Sequence, residues 1–223
     1  MSPVAIWSGL LASLHEILTV GGPVVGLLMG LSVVSFATVI YKLWQFRRAR
    51  VGRHRRVHMA LAAVERGDTQ TAAALLNETR SYLAPTLIRA LRGGGGERAA
   101  LSDRCDAEAE SLFLRLETGL GFLDLVAQLA PLIGLFGTVI GMIEAFQGLQ
   151  SAGSSVDPTV LAGGIWVALL TTAAGLAVAM PVAAVQSWLS GAVERDRVFA
   201  NKALRQIFAP AGAPQPQAAR EAA

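Results

Sequence analysis

Three stretches of this chain carry no charge: residues 17–41, 125–143 and 158–193, which are 25, 19 and 36 residues long. Charged side chains are costly in hydrocarbon, and a helix of roughly 20 apolar residues crosses it. The runs therefore predict three transmembrane helices, over 19–46, 122–147 and 159–190. The third run is longer than a bilayer requires, so its helix is expected to project into water at one end. A mean hydropathy of +0.49 over 223 residues points the same way, away from a soluble globular domain.

Charge placement orients these spans. The nineteen Lys and Arg fall at Lys42, within 47–120 (thirteen, all Arg) or after residue 190 (five), and none lies before residue 17 or within 148–158. Basic residues beside a span favour the cytoplasmic side. Segment 1–18 and the 148–158 turn are thus predicted to face the periplasm, and the 47–121 loop and 191–223 the cytoplasm. Arg47, Arg48, Arg50, Arg53, Arg55 and Arg56 stand beside the first span, where anionic lipid head groups are the expected contact. Topology accounts for the net charge of +3, so no nucleic-acid partner is invoked. Segment 1–18 lacks a basic n-region and is read as a short interfacial helix that is not cleaved. Cys105 is the single cysteine, which supplies no disulfide and no metal cluster.

The 47–121 loop is helical in texture. "HRRVHMALAAVERGD" (54–68) places Val57, Leu61 and Val64 on one face, and Gly67-Asp68 closes it. Two short helices follow, with Pro85 near the start of the second. "GGGG" (93–96) lacks the strand and the Gly-Lys-Ser/Thr ending of a phosphate loop, and reads as a break. From Glu97 to Leu149 the sequence reads as one helix of 53 residues, about 80 Å long. The third helix keeps its texture to about residue 208, before an Ala/Pro/Gln-rich tail expected to be disordered. The predicted fold is an all-α membrane protein with three transmembrane helices and long helical cytoplasmic extensions.

Two threonines stand out in the apolar runs. Thr138 and Thr172 each lie seventeen residues from Ser155, in the turn between the second and third spans. An antiparallel hairpin symmetric about that residue sets both hydroxyls at one depth. Small residues surround them: Gly134, Gly137 and Gly141 in one helix, Ala168, Gly175 and Ala179 in the other, with Pro181 beyond. Such spacing lets helices approach closely at a pore or a subunit interface. Two readings stay open: each hydroxyl bonds a carbonyl one turn earlier and only packs, or it lines a wet path. Composition favours the first. His54 and His58 are four apart but have no further metal ligands in view, and no catalytic set is present. The chain is read as a non-enzyme without a cofactor. Since nothing in mid-span can hold a proton, an ion pathway would need an acid from another chain.

"LAPLIGLFGTVIGMIEAF" (129–146) followed by "DPTVLAGGIWVALLTTAAGLAVAMP" (157–181) resembles the MotA/TolQ/ExbB proton-channel family, nearest to ExbB and TolQ, over about 120–190. The resemblance implies an inner-membrane homopentameric ring around an ExbD- or TolR-like single-span partner, whose aspartate faces ring threonines. By position these are Thr138 and Thr172, with Thr171 a second candidate. It further implies a stator subunit of a proton-motive-force-driven motor, acting through a TonB-like protein on outer-membrane transport. A TolQ-like role in envelope maintenance through a TolA-like protein is the alternative, and a non-conducting scaffold is the competing class. The chain departs from the family where a glutamate usually stands: Val167 occupies that position, five residues before Thr172. Either that glutamate is dispensable for flux or this member is divergent.

Overall fold

The computed structural model describes residues 3–52, 54–79, 81–93, 98–151 and 158–210, with side chains from residue 22 onward except at residue 160. Arg53, the glycines at 94–96, the turn at 152–157 with Ser155, and the tail after residue 210 lie outside the described residues. The described chain forms α1 (Pro3–Ala49), α2 (Arg55–Glu65), α3 (Thr69–Asn77), α4 (Ala84–Arg92), α5 (Arg98–Glu117), α6 (Leu120–Ser151) and α7 (Pro158–Phe208), with no strand among the described residues. Three segments are long and apolar enough to cross a membrane: Gly22–Ala49, Leu120–Ser151 and Leu161–Phe208. The chain is an all-helical, multi-pass membrane protein.

Two glycines interrupt what hydropathy alone would join. Within α1, Gly22 sits at φ 62° and ψ −164°, a conformation closed to residues with a Cβ. Pro23 follows it and, lacking an N–H, suits the first turn of a new helical stretch. The single helix expected over 97–149 is likewise divided. α5 ends at Glu117 and α6 begins at Leu120, with Gly119 at φ 88° between them. A glycine at positive φ is the ordinary way to stop a helix. The last turn of α5 is closed by Thr118, whose N–H and hydroxyl both donate to the Leu114 carbonyl at 3.0 and 2.9 Å.

The chain divides into two units, residues 1–41 with 119–187, and residues 42–118 with 188–223. In the first, α6 and α7 pack through small residues, and Leu135, Phe136, Val139, Trp166, Leu169 and Met180 are left exposed. Side chains of this kind suit lipid or a neighbouring subunit rather than water.

The second unit has an apolar interior that includes Val57, Leu61, Leu76, Leu87, Phe113 and Leu204. Its short helices are started by their sequence. The Asp68 carboxylate accepts from the Thr71 N–H at 2.9 Å to cap α3, and those Thr71 bonds hold its carboxyl below the usual range. Pro85 occupies the first turn of α4. Lys42 is 1% exposed, yet its ammonium is satisfied: Nζ donates to the Leu116 carbonyl at 3.0 Å and to Gln45 Oε1 at 2.7 Å. Leu116 lies in the last turn of α5, where carbonyls lack helical partners, so the lysine serves as that helix's cap. Arg197 lies over the Phe113 ring and reaches Glu110, Glu117 and Glu194 at 3.1, 2.8 and 3.0 Å.

Candidate functional site

The hairpin of α6 and α7 is held together by backbone meeting backbone. A Cβ added at Gly175 would stand 2.5 Å from the Ala130 carbonyl oxygen and 3.1 Å from Gly134 Cα. One added at Gly134 would stand 2.8 Å from the Thr171 carbonyl oxygen, and one at Gly137 2.8 Å from the Thr171 hydroxyl. Gly141 faces Ala168 at 3.4 Å, and a methyl at Gly164 would run into Ala145. Of the predicted small residues, Gly134, Gly137, Gly141, Ala168, Gly175 and Ala179 are buried, whereas Pro181 is exposed. Close approach of this kind is the way helices associate in lipid, where no hydrophobic force drives them together.

These contacts set the register. Ala130 meets Gly175, Gly134 meets Thr171 and Thr172, and Gly141 meets Ala168. Thr138 therefore lies within about half a turn, roughly 3 Å, of the depth of Thr172, on the side of the 148–158 end. The expected symmetric register about Ser155 and the register set by glycine against alanine thus differ by only a residue or two at this level.

All three candidate hydroxyls have committed their protons. Thr138 donates to the Leu135 carbonyl at 2.6 Å, one turn back in its own helix. Thr171 donates to the Ala168 carbonyl at 2.7 Å and lies 3.3 Å from the Gly134 oxygen, while Thr172 reaches the same Gly134 oxygen at 3.4 Å. A hydroxyl has one proton and two lone pairs, so each retains only acceptor capacity. Their access differs. Thr171 is 2% exposed and closed within the hairpin, and within this chain it belongs to the packing rather than to an open face; Thr138 and Thr172 are half-buried. Adjacent helix positions diverge by about 100°, which is why one threonine of the pair is sealed and the other is not. No ionisable side chain occurs within 125–143 or 158–193. Asp124, at the edge of the first of these, accepts from Gln128 Nε2 at 2.8 Å. Val167 is half-buried.

The five described arginines beside the first span separate. Arg47 and Arg50 line one cavity, and Arg50, Arg55 and Arg56 line another. Arg48 stacks over the Trp44 ring, and Arg56 donates to the Glu78 carbonyl at 3.0 Å.

One polar cluster escaped the sequence reading. Asp196 is 2% exposed, and its carboxylate accepts from the Gly52 N–H at 3.1 and 3.2 Å and from the Tyr82 hydroxyl at 2.9 Å. His54 Nε2 lies 2.8 Å from the same carboxylate, and the His54 ring stacks on Phe199 at 4.2 Å. His58, weighed as its metal-binding companion, also leans on Phe199. Burial first, and then the Asp196 charge, push the Tyr82 hydroxyl well above its ordinary pKa. A signal for this cluster was present: Asp196 occupies the stripe of Leu189, Val193, Ala200 and Ala203, and a carboxylate on a buried face requires donors.

Small-residue packing, committed hydroxyls and an interior free of titratable groups define a class: multi-pass membrane proteins whose helices pack closely in lipid. Residues 74–199 match the profile of the MotA/TolQ/ExbB proton channel family, and the chain belongs to that family. It is similar to a biopolymer transport protein ExbB homolog of Methanothermobacter thermautotrophicus, 28% identical over 81% of this chain and 64% of the relative. It is also similar to a biopolymer transport protein ExbB-like 1 of Synechocystis, 35% identical over 72% of this chain and 64% of the relative. With the Tol-Pal system protein TolQ of Haemophilus influenzae it shares 39% identity over 45% of this chain and 43% of the relative. The chain thus spans less than two thirds of the length of each of these relatives.

Proposed function

We propose that this chain is the channel-forming subunit of a proton-driven inner-membrane motor of the ExbB kind, with the N-terminus periplasmic and the C-terminus cytoplasmic. Several copies, a pentamer by family resemblance, enclose a pore lined in part by Thr138 and Thr172. Thr171 is assigned to hairpin packing. A single-span partner supplies the acid, and a TonB-like protein takes up the motion to energise outer-membrane transport.

The observation that carries this reading is the state of the hydroxyls. Each donates its proton to a carbonyl of the hairpin, so Thr138 and Thr172 offer only lone pairs. An acceptor in an apolar wall stabilises a protonated carboxyl or a water and does nothing to hold a bare carboxylate. Such a wall favours the neutral form of a partner acid while it traverses the membrane, when exposing its charge would cost most. The names of the similar ExbB and TolQ proteins, which refer to biopolymer transport and the Tol-Pal system, agree with a transport or envelope role.

The test is co-reconstitution into vesicles with the single-span partner, following proton uptake under an imposed gradient. Thr138→Val and Thr172→Val, which keep shape and remove the hydroxyl, are expected to assemble and to lower flux severalfold, up to about tenfold, since a lost hydrogen bond between neutral groups is worth about 0.5–1.5 kcal/mol. Thr→Ser at either position should retain most of it. This chain without its partner should leak little. Full flux in a well-assembled double valine variant, or full flux without a partner, would refute the proposal.

A further inference from the structure

In the second unit, a cavity of about 700 Å³ opens among the end of α1, the turn that follows it and the middle of α7. Its lining is of two kinds. Leu43, Phe46 and Trp188 are apolar, and Trp188 is 59% exposed. Arg47, Arg50 and Arg195 are cationic, and none of the three has an ion-pair partner among the described residues. Asp196, the carboxylate in the lining, pairs with none of them, its oxygens being engaged by Gly52, His54 and Tyr82, and three guanidinium groups outnumber a single carboxylate. A mixed concavity of this size is in the range that holds small ligands. Three free guanidinium groups select a phosphate, to which the planar fork donates two hydrogen bonds.

The backbone adds an independent observation. The Val51 N–H donates to the Phe46 carbonyl, and the Arg50 N–H to the Arg47 carbonyl, both at 3.3 Å. This pair of bonds closes α1 in the motif whose left-handed position is normally glycine. Here that position is Arg50, at φ 56°. A left-handed arginine is disfavoured locally, and such outliers concentrate where a side chain is needed for binding. The depth is also informative. Trp44 and Trp188 lie near the ends of the uncharged runs 17–41 and 158–193, where amphipathic rings sit at head-group level.

We infer that this cavity binds an anionic phospholipid, its phosphate held by Arg47, Arg50 and Arg195 and its acyl region lying along Leu43, Phe46 and Trp188. The general attraction of a basic segment to a charged surface does not require a defined cavity, an arginine in a glycine position, or a residue from α7. This site uses all three.

The experiment uses the whole 223-residue chain in neutral detergent, with Trp7→Phe, Trp44→Phe and Trp166→Phe leaving Trp188 as the sole tryptophan, excited selectively over tyrosine. Short-chain phosphatidylglycerol is expected to give a saturable change in Trp188 emission. Phosphatidylcholine of the same length should bind at least tenfold more weakly, and so should inorganic phosphate. Arg47→Gln and Arg195→Gln should each weaken phosphatidylglycerol about tenfold, the loss expected for one charged hydrogen bond. Arg50→Gly guards against a trivial loss of fold: it relieves the backbone, so the melting temperature should rise by about 2–4 °C while lipid affinity falls. Equal response to phosphatidylcholine, or unchanged phosphatidylglycerol affinity in the Gln variants and in Arg50→Gly, overturns the site. Inorganic phosphate binding as tightly as the lipid overturns the lipid assignment in favour of a soluble phosphate ligand.

Discussion

Asp196 accepts hydrogen bonds from a backbone N–H, a phenol and an imidazole, and its removal would strand donors in a buried site. Asp196→Ala is therefore expected to destabilise the second unit by about 3 kcal/mol, with Asp196→Asn milder because it keeps an acceptor. Thermal melting of the purified protein, followed by helicity, reads this difference. The same cluster gives the fold an alkaline limit. The folded Tyr82 hydroxyl titrates above its unfolded value of 10.0, so its contribution is complete below that pH. As pH rises past that value the unfolded chain loses its phenolic proton first, and stability falls until the folded pKa is reached. Tyr82→Phe should remove that part of the slope in melts taken across alkaline pH. If the wild type and Tyr82→Phe keep the same slope, the Tyr82 hydroxyl is not buried beside Asp196 in solution.

At the scale of helices, the α6–α7 contact depends on the absence of side chains. Gly175→Val places atoms where the Ala130 carbonyl already stands, and the helices must part. Overpacking of this sort costs about 1–3 kcal/mol, and the variant should show weakened assembly on native gels and a lowered melting temperature. Gly163, whose surroundings are open, should accept alanine without either effect and serves as the control. Sequence reading located these helices because excluding charge from lipid is a demand that any single run of residues reveals. It missed the break at Gly119, where apolar texture on both sides outweighed one glycine. It could not fix the register of Thr138 and Thr172 to the residue, since interhelical fit depends on pairs such as Gly134 with Gly175 that no single segment displays. Thr171 and Thr172 could be named from the sequence, but which one the hairpin seals depends on the helix rotation that packing selects.

For the molecule as a whole, the broad class was legible and the second unit's polar organisation was not. Three apolar spans and the placement of arginine follow from composition along the chain. The Asp196 cluster joins residues 142 and 114 positions apart, as the His54 and Tyr82 bonds show, and Lys42 meets Leu116 across 74. Separations of that order leave no local pattern to read; only the demand that buried charges be paired survives in sequence. Lys42 has a practical corollary. The chain contains two lysines, and Lys42 is enclosed with its ammonium engaged while Lys202 is exposed. An amine-directed dye should therefore mark Lys202 in the native protein and reach Lys42 only after denaturation, as peptide mapping would reveal. That makes one unmutated side chain on α7 a ready anchor for a fluorophore or a bead, with which the motion proposed for the assembled complex could be tested directly.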